Sequence, residues 1–244
     1  MKIKLIACEV FSREFCLATA VSPHIFDFKS MPFGLHNTPD DLRSTLQNEI
    51  DAAEDGAYDY IALGYGLCSR GTAEIRARST PIVIPRAHDC ITLFLGSRAR
   101  YDQQFSARPG TYYYSSGWIE RKDGEVQQGF EEEAQARERK TRYEEYVEKY
   151  GEDNAKFLIE QESRWLVNYT RAAFINTGTG DIEEYRRFTR ELAEGRNWEY
   201  TEIKGNMSLI ERLASGDWDS EDFLKVEPQQ TIVESFDELI VRVS

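Results

Sequence analysis

Three of the four cysteines follow apolar segments of the chain that have the composition of buried strands. Cys8 ends the segment KIKLIAC, Cys68 comes after YDYIALGYGL, and Cys90 comes after TPIVIPRAHD. In open α/β sheets, ligands bind in the crevice outside the carboxyl ends of the strands. If these three strands are neighbours, about 4.8 Å apart, their sulfur atoms can converge on one ion. Cysteine thiolates hold both zinc and iron–sulfur clusters, so the pattern predicts a metal centre of one of these kinds.

Histidines and charged side chains close to the cysteines supply candidate catalytic groups. His88 lies shortly before Cys90 and could serve as a fourth metal ligand, or as a general acid or base near neutral pH. Glu14 lies on the first predicted helix and is a candidate catalytic acid, although it equally fits an exposed surface position. Arg86 would offset thiolate charge or bind a carboxylate or phosphate; otherwise it forms an ion pair with Asp89 or Glu14.

Further residues near the predicted strand ends are expected to contact a substrate. Tyr65 and Gly66 precede Cys68, and a glycine there lets the backbone approach a ligand closely. His36 precedes a predicted helix and either contacts the substrate or hydrogen-bonds the backbone of its own loop. The aromatic segment TYYYSSGW, residues 111–118, either forms a packed hairpin or covers a pocket.

The cysteine pattern also has a purely structural interpretation. The chain has no CxxC pair, and free cysteine is among the residues most often buried in protein cores, so the three thiols could be unrelated core residues. Cys16, on the helix after the first strand, is expected to be such a buried small side chain. The segment NTGTGD, residues 176–181, places two glycines before a helix, where anions bind, but it matches no nucleotide-binding motif.

Composition and charge restrict the class of protein. The chain has 244 residues, of which 41% are hydrophobic, so it can form one large α/β domain or two small ones. Its formal net charge of -13 argues against binding to nucleic acids or to anionic membranes. We identify no signal peptide and no apolar run of about 20 residues that could span a membrane, and we expect a cytoplasmic protein. In that reducing compartment the cysteines should be free, metal-bound or catalytic and not disulfide-bonded.

Strand and helix signals alternate along the first half of the chain and return in the second half. This alternation of strands and helices predicts an α/β fold of two Rossmann-like lobes with mostly parallel sheets, joined by a charged helical insert. The predicted boundaries are 1–125 for the N-terminal lobe with the cysteines, 126–168 for the insert and 169–244 for a smaller C-terminal lobe. The segment ITLFLGSRARYDQQF is predicted as one helix, and Ser208 with Glu211 matches a capping box at the start of another.

Several long segments resemble an uncharacterised family of bacterial and archaeal proteins, domain of unknown function number 1638. They are YDYIALGYGLCS, ARSTPIVIPRAHDCITLFLGSRARY, PGTYYYSSGWIE, LHNTPDDLRSTLQ and the opening IACEVFSREF. The similarity is dense in the first half of the chain and looser in the rest. The resemblance implies that the following residues belong to the family's shared pattern: Cys8, Glu14, His36, Cys68, His88 and Cys90. Members are often encoded beside corrinoid-dependent methyltransferases, which implies a place in one-carbon metabolism.

The sequence leaves three functions open. The first is an enzyme of one-carbon or sulfur metabolism in which three cysteines hold zinc with one position open, as a Lewis acid or to activate a substrate thiol for alkyl transfer. A 4Fe-4S cluster with one iron free for substrate is the alternative cofactor. The second is a non-catalytic accessory protein that handles a metal or corrinoid and docks a corrinoid protein or methyltransferase through its acidic insert. The third is a small-molecule-binding α/β protein in which the thiols are incidental.

Overall fold

The structure, a computed structural model, describes residues 1–121, 143–152, 154–156, 158 and 168–244. It confirms the predicted α/β class and the mostly parallel sheets. The strands are β1 (Lys2–Cys8), β2 (Ile25–Met31), β3 (Tyr60–Gly64), β4 (Ile82–Pro85), β5 (Thr111–Ser115), β6 (Arg171–Asn176), β7 (Glu199–Lys204), β8 (Phe223–Val226), β9 (Ile232–Glu234) and β10 (Val241–Val243). The helices with defined bounds are α1 (Ser12–Ala20), α2 (Pro39–Ala53), α3 (Cys90–Leu95), α4 (Arg98–Ala107), α5 (Ser116–Glu120), α6 (Ile182–Gly195) and α7 (Ser208–Ser215).

The larger sheet has five strands in the order β2-β1-β3-β4-β8. Strands β1 to β4 run parallel to one another, and β8 pairs with β4 in the antiparallel direction. Every residue of β4 is buried, and so is every residue of β3 after Tyr60. Such continuous apolar runs are typical of central parallel strands that are covered on both faces. The edge strand β2 is far more exposed, which agrees with its position at the margin of the sheet.

The smaller sheet is fully parallel and has the order β5-β6-β7. Buried side chains of this sheet and of the helix α6 form a second hydrophobic cluster around Tyr114, Phe174 and Tyr185. Helix α6 packs on this sheet, and Asp181 caps the helix by accepting a hydrogen bond from the backbone N–H of Glu184 at 3.1 Å. Strands β9 and β10 form a separate antiparallel pair near the end of the chain.

The chain crosses between the two sheets twice, so the sheets do not follow the boundaries predicted at residues 125 and 168. Strand β5, which the prediction assigned to the first lobe, pairs with β6 of the smaller sheet. After β7 the chain returns: α7 packs against α1, and β8 joins the larger sheet beside β4. These pairings satisfy backbone hydrogen bonds: β8 pairs with β4 in the larger sheet, and β5 pairs with β6 in the smaller one.

Two local predictions are wrong, and for a third segment one of the two alternatives is excluded. The segment TYYYSSGW is not a hairpin: it forms strand β5 followed by helix α5, because Ser115 caps the helix by accepting from the backbone N–H of Trp118. The segment after Cys90 forms two helices, which separate at Gly96 with φ of +80°. Ser208 is not a cap, because its hydroxyl donates to the carbonyl oxygen of Gly96 at 3.0 Å.

The predicted helical insert, residues 126–168, lies largely outside the described residues. Within it, residues 143–150 are helical, and Gly151 follows with φ of +81°. No helix that the structure describes combines the length and the apolar character needed to cross a membrane.

Candidate functional site

The three strands that lead to the cysteines are neighbours in the larger sheet, which meets the condition on which the predicted site depends. Strand β1 lies beside β3, and β3 lies beside β4. Cys8 is the last residue of β1, Cys68 follows β3 after a short loop, and Cys90 is the first residue of α3 beyond β4. Because parallel strands end at the same edge of a sheet, this order brings all three cysteines to one edge.

The loops after β3 and β4 stay paired beyond the ends of the strands. The backbone N–H of Leu67 donates to the carbonyl oxygen of Ala87 at 2.8 Å, and that of Cys68 donates to His88 at 2.9 Å. At Gly66 the two loops approach so closely that a Cβ atom would lie 2.7 Å from the carbonyl oxygen of Ala87. Gly66 therefore serves close backbone packing, which places Cys68 next to the loop that carries Cys90.

A left-handed turn holds Cys68 in place. Cys68, Ser69 and Arg70 have φ angles of 46°, 55° and 71°, which are unfavourable for residues with a side chain. The carbonyl oxygen of Cys68 accepts from the backbone N–H of Gly71 at 2.9 Å, and Arg70 forms an ion pair with Glu234. Backbone strain of this kind persists only where the surroundings enforce it, and it concentrates at functional sites.

The three cysteines line one cavity of about 350 Å³. Four more of the predicted site residues line the same cavity: His36, Tyr65, Gly66 and His88. The volume lies within the usual range for a small-molecule site. The structure thus brings side chains from the end of β1, from the turn before α2 and from the segments after β3 and β4 to one cavity. This convergence is the main feature of the site.

Burial controls the protonation of the three thiols. It raises the pKa of Cys8 to about 11, and it raises the pKa of Cys68 and of Cys90 as well. The negative charges of Asp89 and of the other cysteines raise the pKa of Cys68 and Cys90 further, so the thiols lie close enough to influence one another. Without a bound cation, all three are therefore neutral thiols at pH 7.

The structure does not arrange these side chains as ligands of a metal. Among the described residues, no group of three or more His, Cys, Asp or Glu side chains is placed so that it could hold a metal ion. The thiols share a cavity without forming a ligand set, and zinc and the 4Fe-4S cluster stay predictions.

Two further side chains in the lining have unusual environments. The Tyr65 hydroxyl is buried and has no hydrogen-bond partner among the described residues, and burial raises its pKa. Asp89 caps α3 by accepting from the backbone N–H groups of Ile91 and Thr92, and burial raises the pKa of its carboxyl group. Sequence reasoning considered Asp89 only as an ion-pair partner, although its position before the segment CITLFL is a capping signal.

The two histidines reach the cavity from different elements. His36 lies in the turn before α2 and contacts the ring of Phe33 edge-on at 5.6 Å. Burial lowers the pKa of His36, so its imidazole is neutral at pH 7. His88 lies 5.7 Å from the ring of Tyr101 and also lines a neighbouring cavity with several acidic side chains. Both imidazole rings line the cysteine cavity.

Glu14 lies outside the cavity lining. Its side chain is fully buried, and one carboxylate oxygen accepts from the hydroxyls of Ser116 at 3.3 Å and of Thr177 and Thr179 at 2.8 Å. The segment NTGTGD, considered as an anion site, thus surrounds a carboxylate of the protein itself. Glu14 connects α1 with the loop after β6 and joins the two sheets.

Arg86 and Cys16 also lie away from the cavity. The guanidinium of Arg86 donates to backbone carbonyl oxygens of Leu239 and Val241 and so holds the C-terminal segment. Cys16 is exposed, which corrects the prediction of a buried side chain. The physical reason is that Phe15 and Ala18 provide the buried face of α1, which turns position 16 toward solvent.

The comparison with known proteins shows the family alone. The family model described as "Protein of unknown function (DUF1638)" matches residues 30–214. That span contains His36, Cys68, His88 and Cys90, whereas Cys8 and β1 precede it. No curated protein and no solved structure matches the chain.

Proposed function

The chain belongs to the DUF1638 family, whose description states no activity, and we propose that it is a metal-dependent enzyme of one-carbon or sulfur metabolism. Its metal centre would be held by Cys8, Cys68 and Cys90. The observation that carries the proposal is that these three cysteines, from three adjacent strands, line one cavity.

The donor set agrees with a metal that prefers sulfur. Three thiols with two histidines in the same lining offer the soft ligands that zinc and iron–sulfur clusters take. Neither lysine nor arginine occurs among the described residues of the lining, so a metal cation is the group that would keep the sulfurs ionised. Because the thiols are not placed as a ligand set, we expect metal binding to draw their side chains together.

The proposed reaction is alkyl transfer to a thiol. A zinc ion held by Cys8, Cys68 and Cys90 would supply a Lewis acid that lowers the pKa of a substrate thiol. His88 lines the cavity and would accept the proton that the thiol releases. The sulfur then forms a bond to the alkyl carbon of a donor substrate, and the bond between that carbon and the donor breaks with its electron pair left on the donor.

Metal analysis of protein purified without air and without chelator tests the proposal. We expect about one zinc per chain and no visible colour, whereas the cluster alternative predicts iron, sulfide and a brown solution. Cys8→Ser, Cys68→Ser and Cys90→Ser should each lower the metal content at least fivefold while the circular dichroism spectrum is kept.

Cys16→Ser is the matched control, because Cys16 is exposed and lies on α1, away from the cavity. It should retain the metal content of the unmodified protein. Only traces of metal in the unmodified protein, or equal loss in Cys16→Ser and Cys68→Ser, would overturn the metal centre.

A further inference from the structure

The cysteine cavity is also lined by aromatic rings. Phe33, Tyr112, Trp118 and Tyr169 all line it, together with His36. They come from the loop after β2, from β5 and α5 of the smaller sheet, and from the residues just before β6. The larger sheet therefore brings the sulfur atoms and the ring of Phe33 to the cavity, and the smaller sheet with α5 adds further aromatic rings.

These rings meet nearly at right angles, as the walls of a box do. Phe33 contacts Trp118 with centroids 6.2 Å apart and an interplanar angle of 79°. Trp118 contacts Tyr112 at 5.9 Å and 77°, and Tyr112 contacts Tyr169 at 5.3 Å and 65°. His36 continues the chain on the other side of Phe33, at 72°. Edge-to-face contact is a preferred geometry of aromatic pairs, and each of these rings also lines the cavity.

The charge of the described lining favours a cationic occupant over an anionic one. Among the described residues, no lysine or arginine lines the cavity, whereas Asp89 does, and the chain carries a net charge of -13. Three thiolates on a divalent metal would add a further negative charge. Aromatic faces attract cations through their quadrupoles, and methylated cations fit such boxes because they lose little hydration energy on burial.

We propose that the cavity binds a small onium cation, a compound with a methylated quaternary ammonium or sulfonium group. This inference rests on the proposed function in one respect, namely that the onium compound is the alkyl donor of the same site. In the transfer, the sulfur of the thiolate forms a bond to a methyl carbon. The bond from that carbon to nitrogen or sulfur breaks, and its electron pair stays on the neutral amine or thioether.

The experiment compares a cation with its neutral isostere. Choline and 3,3-dimethyl-1-butanol differ in one atom and in charge, and their binding to the full chain can be measured by titration calorimetry. We expect choline to bind at least tenfold more tightly, because cation–π attraction in a desolvated site has about that magnitude. The affinity for trimethylsulfonium, measured in the same way, distinguishes a sulfonium donor from a quaternary ammonium donor. Whichever of choline and trimethylsulfonium binds more tightly identifies the class of donor.

Substitutions of Trp118 test whether cation binding depends on an aromatic ring or only on an apolar side chain of similar size. Trp118→Leu keeps an apolar side chain but removes the π face, so the preference for choline should fall to less than threefold, whereas Trp118→Phe should retain it. Trp218→Phe is the matched control, because Trp218 packs against Tyr60 outside the cavity and should leave the preference unchanged. Thermal unfolding of each variant verifies that it is folded.

Repeating the titration on Cys68→Ser protein distinguishes failure of the inference from failure of the proposed function. Equal affinity for choline and its isostere in metal-loaded protein overturns the onium inference and leaves the metal centre in place. A retained preference for choline in Cys68→Ser protein that has lost its metal supports the aromatic box independently of the metal. A preference for choline in unmodified protein that holds only traces of metal overturns the metal centre and leaves the onium inference in place.

Discussion

The backbone N–H of Cys68 donates to the carbonyl oxygen of His88 at 2.9 Å, so the loops that carry two of the cavity's cysteines are joined directly to each other. This bond lies beyond the last paired residues of β3 and β4, where parallel strands usually separate.

Gly66→Ala should destabilise the protein and disturb the site. The added Cβ would lie 2.7 Å from the carbonyl oxygen of Ala87 and 2.8 Å from the backbone nitrogen of Asp89, and backbone atoms cannot move aside without separating the loops. We expect a loss of about 1–3 kcal/mol in the free energy of unfolding, measured by urea denaturation. Gly195→Ala, at the end of α6 with open space around it, is the control and should be neutral or stabilising. An equal effect of the two substitutions would contradict the close packing at Gly66.

Asp89→Ala should weaken α3 at its first turn. The Asp89 carboxylate accepts from the backbone N–H of Ile91 at 3.0 Å and of Thr92 at 3.3 Å, and loss of such a cap costs about 1 kcal/mol. Asp89→Asn should recover most of the stability, because asparagine caps a helix about as well as aspartate does. Urea denaturation of the three proteins measures the difference. If the alanine variant equalled the asparagine variant, the cap would contribute nothing.

His36 should titrate below the ordinary histidine value of 6.5. Burial disfavours its charged form, so between the lowered folded pKa and 6.5 the unfolded chain binds more protons than the folded one. The contribution of His36 to stability is therefore complete above pH 6.5 and declines as the pH falls below that value. The chemical shift of the ring carbon Cε1 in metal-free protein, assigned with the variant His36→Asn, gives the midpoint. A midpoint at or above 6.5 would show that the ring is solvated.

Glu14→Ala should destabilise the contact between the two sheets. Three hydroxyls donate to one buried carboxylate oxygen, and removal of that oxygen leaves the donors without their acceptor. We expect a loss of about 2–4 kcal/mol in the free energy of unfolding. Glu14→Gln keeps an acceptor and should lose less than half as much.

Metal content measured on the same variants tests the position of Glu14 outside the cavity. Glu14→Gln should bind as much metal as the unmodified protein, since Glu14 does not line the cysteine cavity. A loss of metal in a folded Glu14→Gln variant would place this carboxylate in the site after all.

Much of the larger sheet could be predicted from the sequence. The apolar runs before Cys8, Cys68 and Cys90 identified β1, β3 and β4, because strands covered on both faces of a parallel sheet must be apolar throughout. The same runs predicted that cysteines stand at the ends of these strands. The hydrophobic pattern of a segment indicates which of its side chains are buried, and this pattern is contained in a short stretch of sequence.

The roles of individual polar residues could not be predicted in the same way. Glu14 fits a surface acid by its type, yet its carboxylate is buried against Thr177 and Thr179, which lie more than half the chain away in sequence. Arg86 fits a ligand-binding cation, yet its donors bind backbone oxygens of the C-terminal segment. Partners of this kind depend on how distant segments pack, and the types of the residues contain no information about it.

The sequence by itself determined the α/β class and placed a cysteine at the end of each of three strands. Only the tertiary structure decided that these strands are adjacent, that β5 leaves the first lobe to pair with β6, and that aromatic rings of β5 line the same cavity as the cysteines. The physical reason is that hydrophobic periodicity selects which side chains are buried, whereas the lateral order of strands results from long-range backbone pairing and packing.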